Sequence, residues 1–161
     1  MIVEMIVAVA VLSIALLALM AGYDSAFVSL HNASRQSAAS TLAAKQLELY
    51  SALQYTAIGL DATTLSSVKA SDTTYTGDEA GLDNQSTAVD VTIANCGTAS
   101  QCLPVQTLTG NDGRSYRVET FIRDVPVTSR SERFVTVIVR DSNLAGSPVV
   151  AKMTAAYDSG P

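Results

Sequence analysis

Several residue types that support catalysis or metal binding are scarce in this chain. Its 161 residues include two cysteines, one histidine, four prolines and no tryptophan. Two cysteines without a matching histidine pair do not make a structural zinc site. The sequence also lacks the GxSxG, P-loop, HExxH and GxGxxG patterns. His31 has no second histidine or cysteine at ligand spacing, so we expect neither an enzyme nor a histidine-based metal site.

Positive charge is also in short supply. Ten Lys and Arg residues face fifteen Asp and Glu residues, giving a net charge of -5. Nucleic-acid binding draws on clustered Lys and Arg. Six basic residues do lie between positions 114 and 140, but acidic residues are interleaved with them: Glu119, Asp124, Glu132 and Asp141. We interpret this stretch as a solvated, mixed-charge sheet face and predict no nucleic-acid partner.

The first 23 residues form the longest apolar segment. From Met5 to Tyr23 no side chain is ionisable except the tyrosine itself. As a helix this stretch is about 28 Å long, close to the roughly 30 Å hydrocarbon thickness of a bilayer. Residues 1–23 are therefore predicted to be a transmembrane helix half. Glu4 lies at its start, where a carboxylate in apolar surroundings needs a partner.

The orientation signal that usually accompanies a membrane anchor is missing. No Lys or Arg precedes the apolar run, and the first basic residue after it is Arg35. Basic residues normally flank the cytoplasmic end of such a segment. A cleaved basic leader would supply the signal. The alternative is a simple anchor with Glu4 in the headgroup region, where a helix N-terminus favours negative charge.

Residues 24–55 are predicted to continue the helix as an amphipathic half. Neither proline nor glycine occurs between Asp24 and Tyr55. Apolar residues recur at helical spacing, whereas Arg35, Gln36, Lys45 and Glu48 occupy other faces. Gly22 marks the predicted junction of the two halves, because glycine weakens a helix. The predicted apolar face comprises Ala38, Ala39, Leu42, Ala43, Leu49, Tyr50 and Leu53.

The rest of the chain is predicted to be a connection followed by a sheet. Residues 56–88 are rich in Thr, Ser, Asp and Gly and are interpreted as a long connecting loop. Residues 89–161 then show alternating apolar positions with turn signals between them. Strands are predicted at 89–93, 103–108, 116–123, 134–140 and 149–156. The predicted fold class is α+β, with the long helix packed on an antiparallel β-meander.

The N-terminal stretch resembles a known family. Glu4 followed by MIVAVAVLSIALLALMAGY, and then by a polar, Ala-rich helix, is similar to the processed N-terminus of type IV pilins and type II secretion pseudopilins. The resemblance covers about the first third of the chain. It implies a leader cut by a prepilin peptidase, methylation of the first residue, insertion in the inner membrane, and an assembly platform driven by a cytoplasmic ATPase.

The same resemblance implies an extracellular homo-oligomeric filament built through the N-terminal helices. Met1 and Glu4 are the expected assembly residues, with the acid attracting the amino terminus of a neighbouring subunit. Breaking a buried pair of this kind typically costs about 3 to 5 kcal/mol. A low-copy minor pilin or pseudopilin is an alternative within the family. A membrane-anchored extracytoplasmic binding module is the alternative from another class.

A disulfide is expected for an exported protein of this type, and a calcium site is a weaker alternative. Cys96 and Cys102 enclose five residues of turn-forming composition, and oxidising compartments favour paired cysteines, so a disulfide is predicted. Some pseudopilins bind calcium in a loop of the C-terminal domain. The oxygen ligands available here are Asp72, Asp78, Glu79 and Asp83, but their spacing does not reproduce an EF-hand. We therefore predict no cofactor and keep calcium as a weaker alternative.

Overall fold

The computed structural model describes residues 2–82, 88–94, 96, 99–127 and 130–159. The chain divides into two compact units, residues 1–35 and residues 36–161. We call the first unit the apolar half and the second unit the sheet domain, and each is described by itself. Helix α1, Ile2–Ser51, contributes to both. Met1, Asp83 and the chain ends at 160–161 lie outside the described residues.

Helix α1 continues through Gly22 without an interruption. The predicted junction at Gly22 lies within the first unit, and the division between the units falls between Arg35 and Gln36. A single glycine costs about 1 kcal/mol in a helix, and the surrounding alanine and leucine residues have high helix propensity. The helix ends at Ser51, before the predicted end at Tyr55, and Tyr55–Ala57 form a 3-10 turn.

The predicted antiparallel sheet is confirmed. Consecutive strands β4 (Val105–Thr109), β5 (Ser115–Val127), β6 (Arg130–Asp141) and β7 (Val149–Asp158) pair antiparallel as a meander. Strand β2 (Val89–Asp90) also pairs with β5. The predicted strand at 89–93 is split, because β3 (Thr92–Ile93) pairs parallel with β1 (Leu60–Asp61).

One face of the sheet packs against the last four turns of α1. Because side chains alternate along a strand, Tyr116, Val118 and Ile122 share this face, and all three are buried. Tyr157 at the end of β7 donates a hydrogen bond of 3.0 Å to the Leu47 carbonyl. The buried helix residues facing this layer are Ala38, Ala39, Ala43, Gln46 and Tyr50. Leu49, predicted to lie on this face, is instead 38% exposed.

The predicted connecting loop contains two helices. Helix α2, Ala62–Ser71, and helix α3, Thr73–Ala80, lie within the stretch interpreted as irregular. Asp61 caps α2 by accepting from the Thr64 amide at 2.9 Å. Asp72 caps α3 by accepting from the Thr74 amide at 3.0 Å. Aspartate at an N-cap satisfies amides that a helix otherwise leaves unpaired, which offsets the modest helix propensity of threonine and serine.

Helix α3 covers the second face of the sheet. The Tyr75 ring stacks on Phe121 with ring centroids 4.4 Å apart, and its hydroxyl donates to the Thr120 carbonyl at 3.0 Å. Both aromatic residues are buried. The sheet domain is therefore a three-layer structure, with the end of α1 on one face and α3 on the other.

Candidate assembly helix and ion-paired sheet face

The apolar half presents its hydrophobic side chains to the outside. Every described residue from Ile2 to Ser34 is exposed. The large apolar side chains between Ile2 and Leu30 retain from 52% to 79% of their accessible surface. Leaving a leucine-sized side chain in water costs about 1.5 to 3 kcal/mol relative to burying it. This half of α1 therefore requires an apolar environment that the described chain does not provide for it.

Length and composition make α1 suitable for crossing a membrane. It is the one helix among the described residues that meets both criteria. Its internal hydroxyl is compatible with lipid, because Ser13 Oγ donates to the Val9 carbonyl at 2.8 Å. A hydroxyl without a hydrogen bond would be costly in a hydrocarbon environment. The length and composition of α1 therefore support the predicted insertion of this helix in a membrane.

Glu4 occupies the first turn of α1 with its side chain exposed. The helix dipole favours a carboxylate in this turn, since the first amides of the helix point toward it. Its predicted partner is the amino terminus of a neighbouring subunit, and Met1 itself lies outside the described residues. Met1 and Glu4 lie three positions apart in the sequence. Contact between them in neighbouring copies stays a prediction.

The charged face of the sheet is covered by α3 and ion-paired, which corrects its interpretation as solvated. Asp72 accepts from Arg117 Nη2 at 2.5 Å. Asp78 accepts a two-pronged hydrogen bond from Arg140, with 2.7 Å from Nε to Oδ2. Bidentate arginine–carboxylate pairs are among the stronger hydrogen bonds in proteins. These pairs fasten both ends of α3 to β5 and β6.

A second group of charges joins α2, α3 and the sheet edge. Lys69 Nζ contacts Glu79 Oε1 at 2.6 Å and also pairs with Asp90. Arg123 Nη2 lies 3.3 Å from the same Glu79 oxygen. Partial desolvation disfavours the charged form of Lys69, but the hydrogen bonds that it donates to Asp90 and Glu79 outweigh this and raise its pKa. The lysine therefore stays charged, and this group connects two helices with strand β2.

Glu119 lies at the centre of the covered face and is fully buried. Arg117 Nε donates to its Oε1 at 2.5 Å, while Arg140 Nε lies 3.7 Å from Oε2. Burial raises the pKa of Glu119 to about 7, and the neighbouring Asp78 carboxylate adds to this because it favours the protonated form of Glu119. Burial also disfavours the charged form of Asp78, but the Arg140 hydrogen bonds outweigh it and lower its pKa. The proton is therefore held by Glu119 below about pH 7, while Asp78 stays ionised beside Arg140.

The weaker calcium candidates are engaged elsewhere. Asp72, Asp78 and Glu79 each pair with a Lys or Arg, as described above, and Asp83 lies outside the described residues. Within the described ranges no three His, Cys, Asp or Glu side chains come together as a possible metal site. A cation at the three described acids would have to displace arginine or lysine, so the observed pairing does not favour that alternative.

The two cysteines lie together next to α1. Cys96 and Cys102 are at bonding distance, with Cα atoms 5.9 Å apart, within the range of a disulfide. The 3-10 turn Ser100–Cys102 is tied to the helix, because Gln46 Nε2 donates to the Ser100 carbonyl at 3.1 Å and Tyr50 donates to the Gln101 carbonyl at 2.5 Å. The cross-linked loop is thus held against the buried face of α1.

Sequence reasoning missed the role of Gln46. Its side chain is 2% exposed and accepts from Gln106 Nε2 at 3.0 Å while donating to the turn at Ser100. A glutamine at a helical spacing of four from Tyr50 and seven from Ala39 lies on the predicted apolar face. That spacing was the available signal, because a polar residue in an apolar stripe requires a buried hydrogen-bond partner.

Comparisons of the chain with protein-family models, with curated proteins and with solved structures returned no match.

Proposed function

We propose that this protein is a structural subunit of an extracellular type IV pilus-like filament, assembled through the apolar half of α1. The observation that carries the proposal is the combination of an acid in the first helical turn with an apolar helix whose side chains are exposed. The sheet domain has its own core and leaves that helix available for other copies. In this proposal the domain forms the outside of the filament.

The subunit would first reside in the membrane and then exchange lipid for protein contacts. Lipid and protein interiors are similarly apolar, so the hydrophobic effect contributes little to this exchange. Close packing and pairing of polar groups must then determine how the helices align. Small residues permit close approach of helices, and this half contains Ala8, Ala10, Ala15, Ala18 and Ala21.

Glu4 is the proposed alignment residue. A carboxylate in a helical bundle requires a cation, and the amino terminus of a neighbouring copy would supply one. Removing one member of a buried ion pair typically costs about 3 to 5 kcal/mol per pair. Along a filament that cost recurs at every subunit, so a single substitution is expected to prevent assembly.

The test compares Glu4→Ala and Glu4→Gln with Asp24→Asn in cells that make the filament. Asp24 is the matched control, because it is an acid on the same helix 20 positions further along. We expect Asp24→Asn chains in filaments sheared from the cell surface, and both Glu4 variants only in the membrane fraction. Unchanged filament content with Glu4→Ala would contradict the proposal and favour the membrane-anchored binding module.

A further inference from the structure

Strand β7 has an outer edge that no described strand covers. It spans ten residues, Val149–Asp158, and pairs with β6 on its inner side. The neighbouring strands β5 and β6 each have partners on both sides. The outward-pointing amide and carbonyl groups of an edge strand are a template for pairing with another chain.

Strand β7 has few of the features that normally prevent an edge strand from pairing with another chain. It contains neither proline nor glycine. The register irregularity next to it falls between Val139 and Arg140, opposite the start of the strand. From Lys152 to Asp158 the pairing with β6 is regular, so this part of the edge is straight enough to accept another strand.

We infer that this edge pairs antiparallel with β7 of a second copy around a two-fold axis at Ala155. In that register Ala155 lies opposite Ala155 of the second copy, and Met153 lies opposite Tyr157. Lys152 lies opposite Asp158 at both ends of the pairing. The two sheets would then form one continuous sheet across the axis.

Charge complementarity selects this register over its neighbours. Lys152 and Asp158 are the charged residues of β7, both are exposed, and both point to the same face because their numbers differ by six. Opposite charges directly across antiparallel strands stabilise the pair, whereas like charges destabilise it. A register centred on Lys152 would place two lysines together. The register centred on Ala155 instead forms two equivalent Lys–Asp pairs.

This surface is separate from the helix used in the proposed function. The β7 pairing needs neither Glu4 nor the apolar half, so a Glu4→Ala chain should still pair through β7. Conversely, a variant that loses β7 pairing should keep an intact assembly helix. The two proposals can therefore fail independently of each other.

The first test uses the full chain in detergent micelles with single added cysteines. Ala155→Cys places two thiols next to each other on the axis, whereas Thr107→Cys lies exposed on β4 at the other side of the sheet. We expect a disulfide-linked dimer with Ala155→Cys and mainly monomer with Thr107→Cys. Equal cross-linking of the two variants, or none with Ala155→Cys, would overturn the inference.

The second test reverses the charges in the Glu4→Ala background, so that helix-driven assembly does not contribute. Lys152→Glu and Asp158→Lys each place like charges opposite each other twice, which is expected to raise the dimer dissociation constant about ten-fold. The double variant restores opposite charges and should restore the dimer. The proposed register would be overturned if both single variants dimerise as strongly as the parent. It would also be overturned if the double variant does not recover the dimer.

Discussion

The two halves of α1 place their hydrophobic residues in opposite situations. The apolar half carries leucine, isoleucine and valine all around the helix, and these side chains are exposed. The half inside the sheet domain is less hydrophobic, yet Ala39, Ala43 and Tyr50 are completely buried. Hydrophobicity alone therefore does not indicate which part of a helix is packed within its own chain. A one-sided apolar stripe is typical of a helix that packs on its own domain, and an all-round apolar surface is typical of one that packs on lipid or other helices.

Glu119 in the sheet domain and Glu4 in the apolar half also differ in where their partners lie. Glu119 is buried, and the groups it contacts, Arg117 and Arg140, lie within its own domain. Glu4 begins an apolar helix, and its proposed partner belongs to another copy. An acid that is paired within its own domain contributes to folding, whereas one that is paired between chains contributes to assembly.

The largest effect is expected from placing a lysine in the apolar half. Leu12→Lys puts a charge near the centre of the predicted span, which makes insertion about 3 to 4 kcal/mol less favourable. Leu49→Lys is the matched control, because Leu49 lies on the same helix within the sheet domain and is partly exposed. The fraction retained in membranes after an alkaline wash should fall for Leu12→Lys only. Equal retention of the two variants would show that the apolar half does not span the bilayer.

A somewhat smaller effect is expected at Glu119, and it depends on pH. Its folded-state pKa of about 7 lies above the ordinary value of 4.5, so the folded state holds its proton more tightly. The associated stability is fully present below pH 4.5 and is lost as the pH rises through 7, to a total of about 3 kcal/mol. Denaturant midpoints of the sheet domain should therefore fall mainly between pH 4.5 and pH 7 and level off above about pH 8.

Glu119→Gln separates this group from the other ionisable groups. The amide does not titrate, so the midpoint of this variant should change much less over the same pH range. Glu132→Gln is the control, since Glu132 is a partly exposed acid on the neighbouring strand β6. A wild-type midpoint that stays constant from pH 4.5 to about pH 8 would contradict the raised pKa of the buried Glu119.

The smallest effect is expected from enlarging alanines in the two halves. Ala39→Leu overfills a completely buried position between α1 and the sheet, which typically costs about 1 to 3 kcal/mol. Ala15→Leu makes the same change in the apolar half, where the side chain is exposed and nothing in the described chain resists it. Thermal unfolding of the sheet domain should be affected by Ala39→Leu alone. A comparable loss in both variants would mean that the two halves do not differ in packing.

Local sequence patterns predicted most of the sheet but not helices α2 and α3 beside it. Strand β5 was predicted at 116–123 and is observed at Ser115–Val127, because alternating apolar residues specify a strand directly. Helices α2 and α3 were missed because threonine, serine and aspartate are also typical of loops. The available signals were Asp61 and Asp72, each immediately before a helix start.

Local sequence patterns also could not predict that the charged residues of β5 are buried. Arg117, Glu119 and Arg123 alternate along β5 and have the pattern of a solvated face until a helix is known to cover them. Their burial depends on α3, and α3 approaches through contacts such as Tyr75 on Phe121, which are distant in sequence. The long apolar helix, in contrast, needs no tertiary information to be recognised.

The central claim is that the apolar half is an assembly surface between copies. Its most direct test places a photo-activated cross-linking residue at Leu12, which is 63% exposed, in the membrane and in sheared filaments. We predict lipid adducts in the membrane and cross-links to the apolar half of another copy in the filaments. Filament material in which Leu12 reacts with solvent or detergent, and never with another copy, would contradict the account.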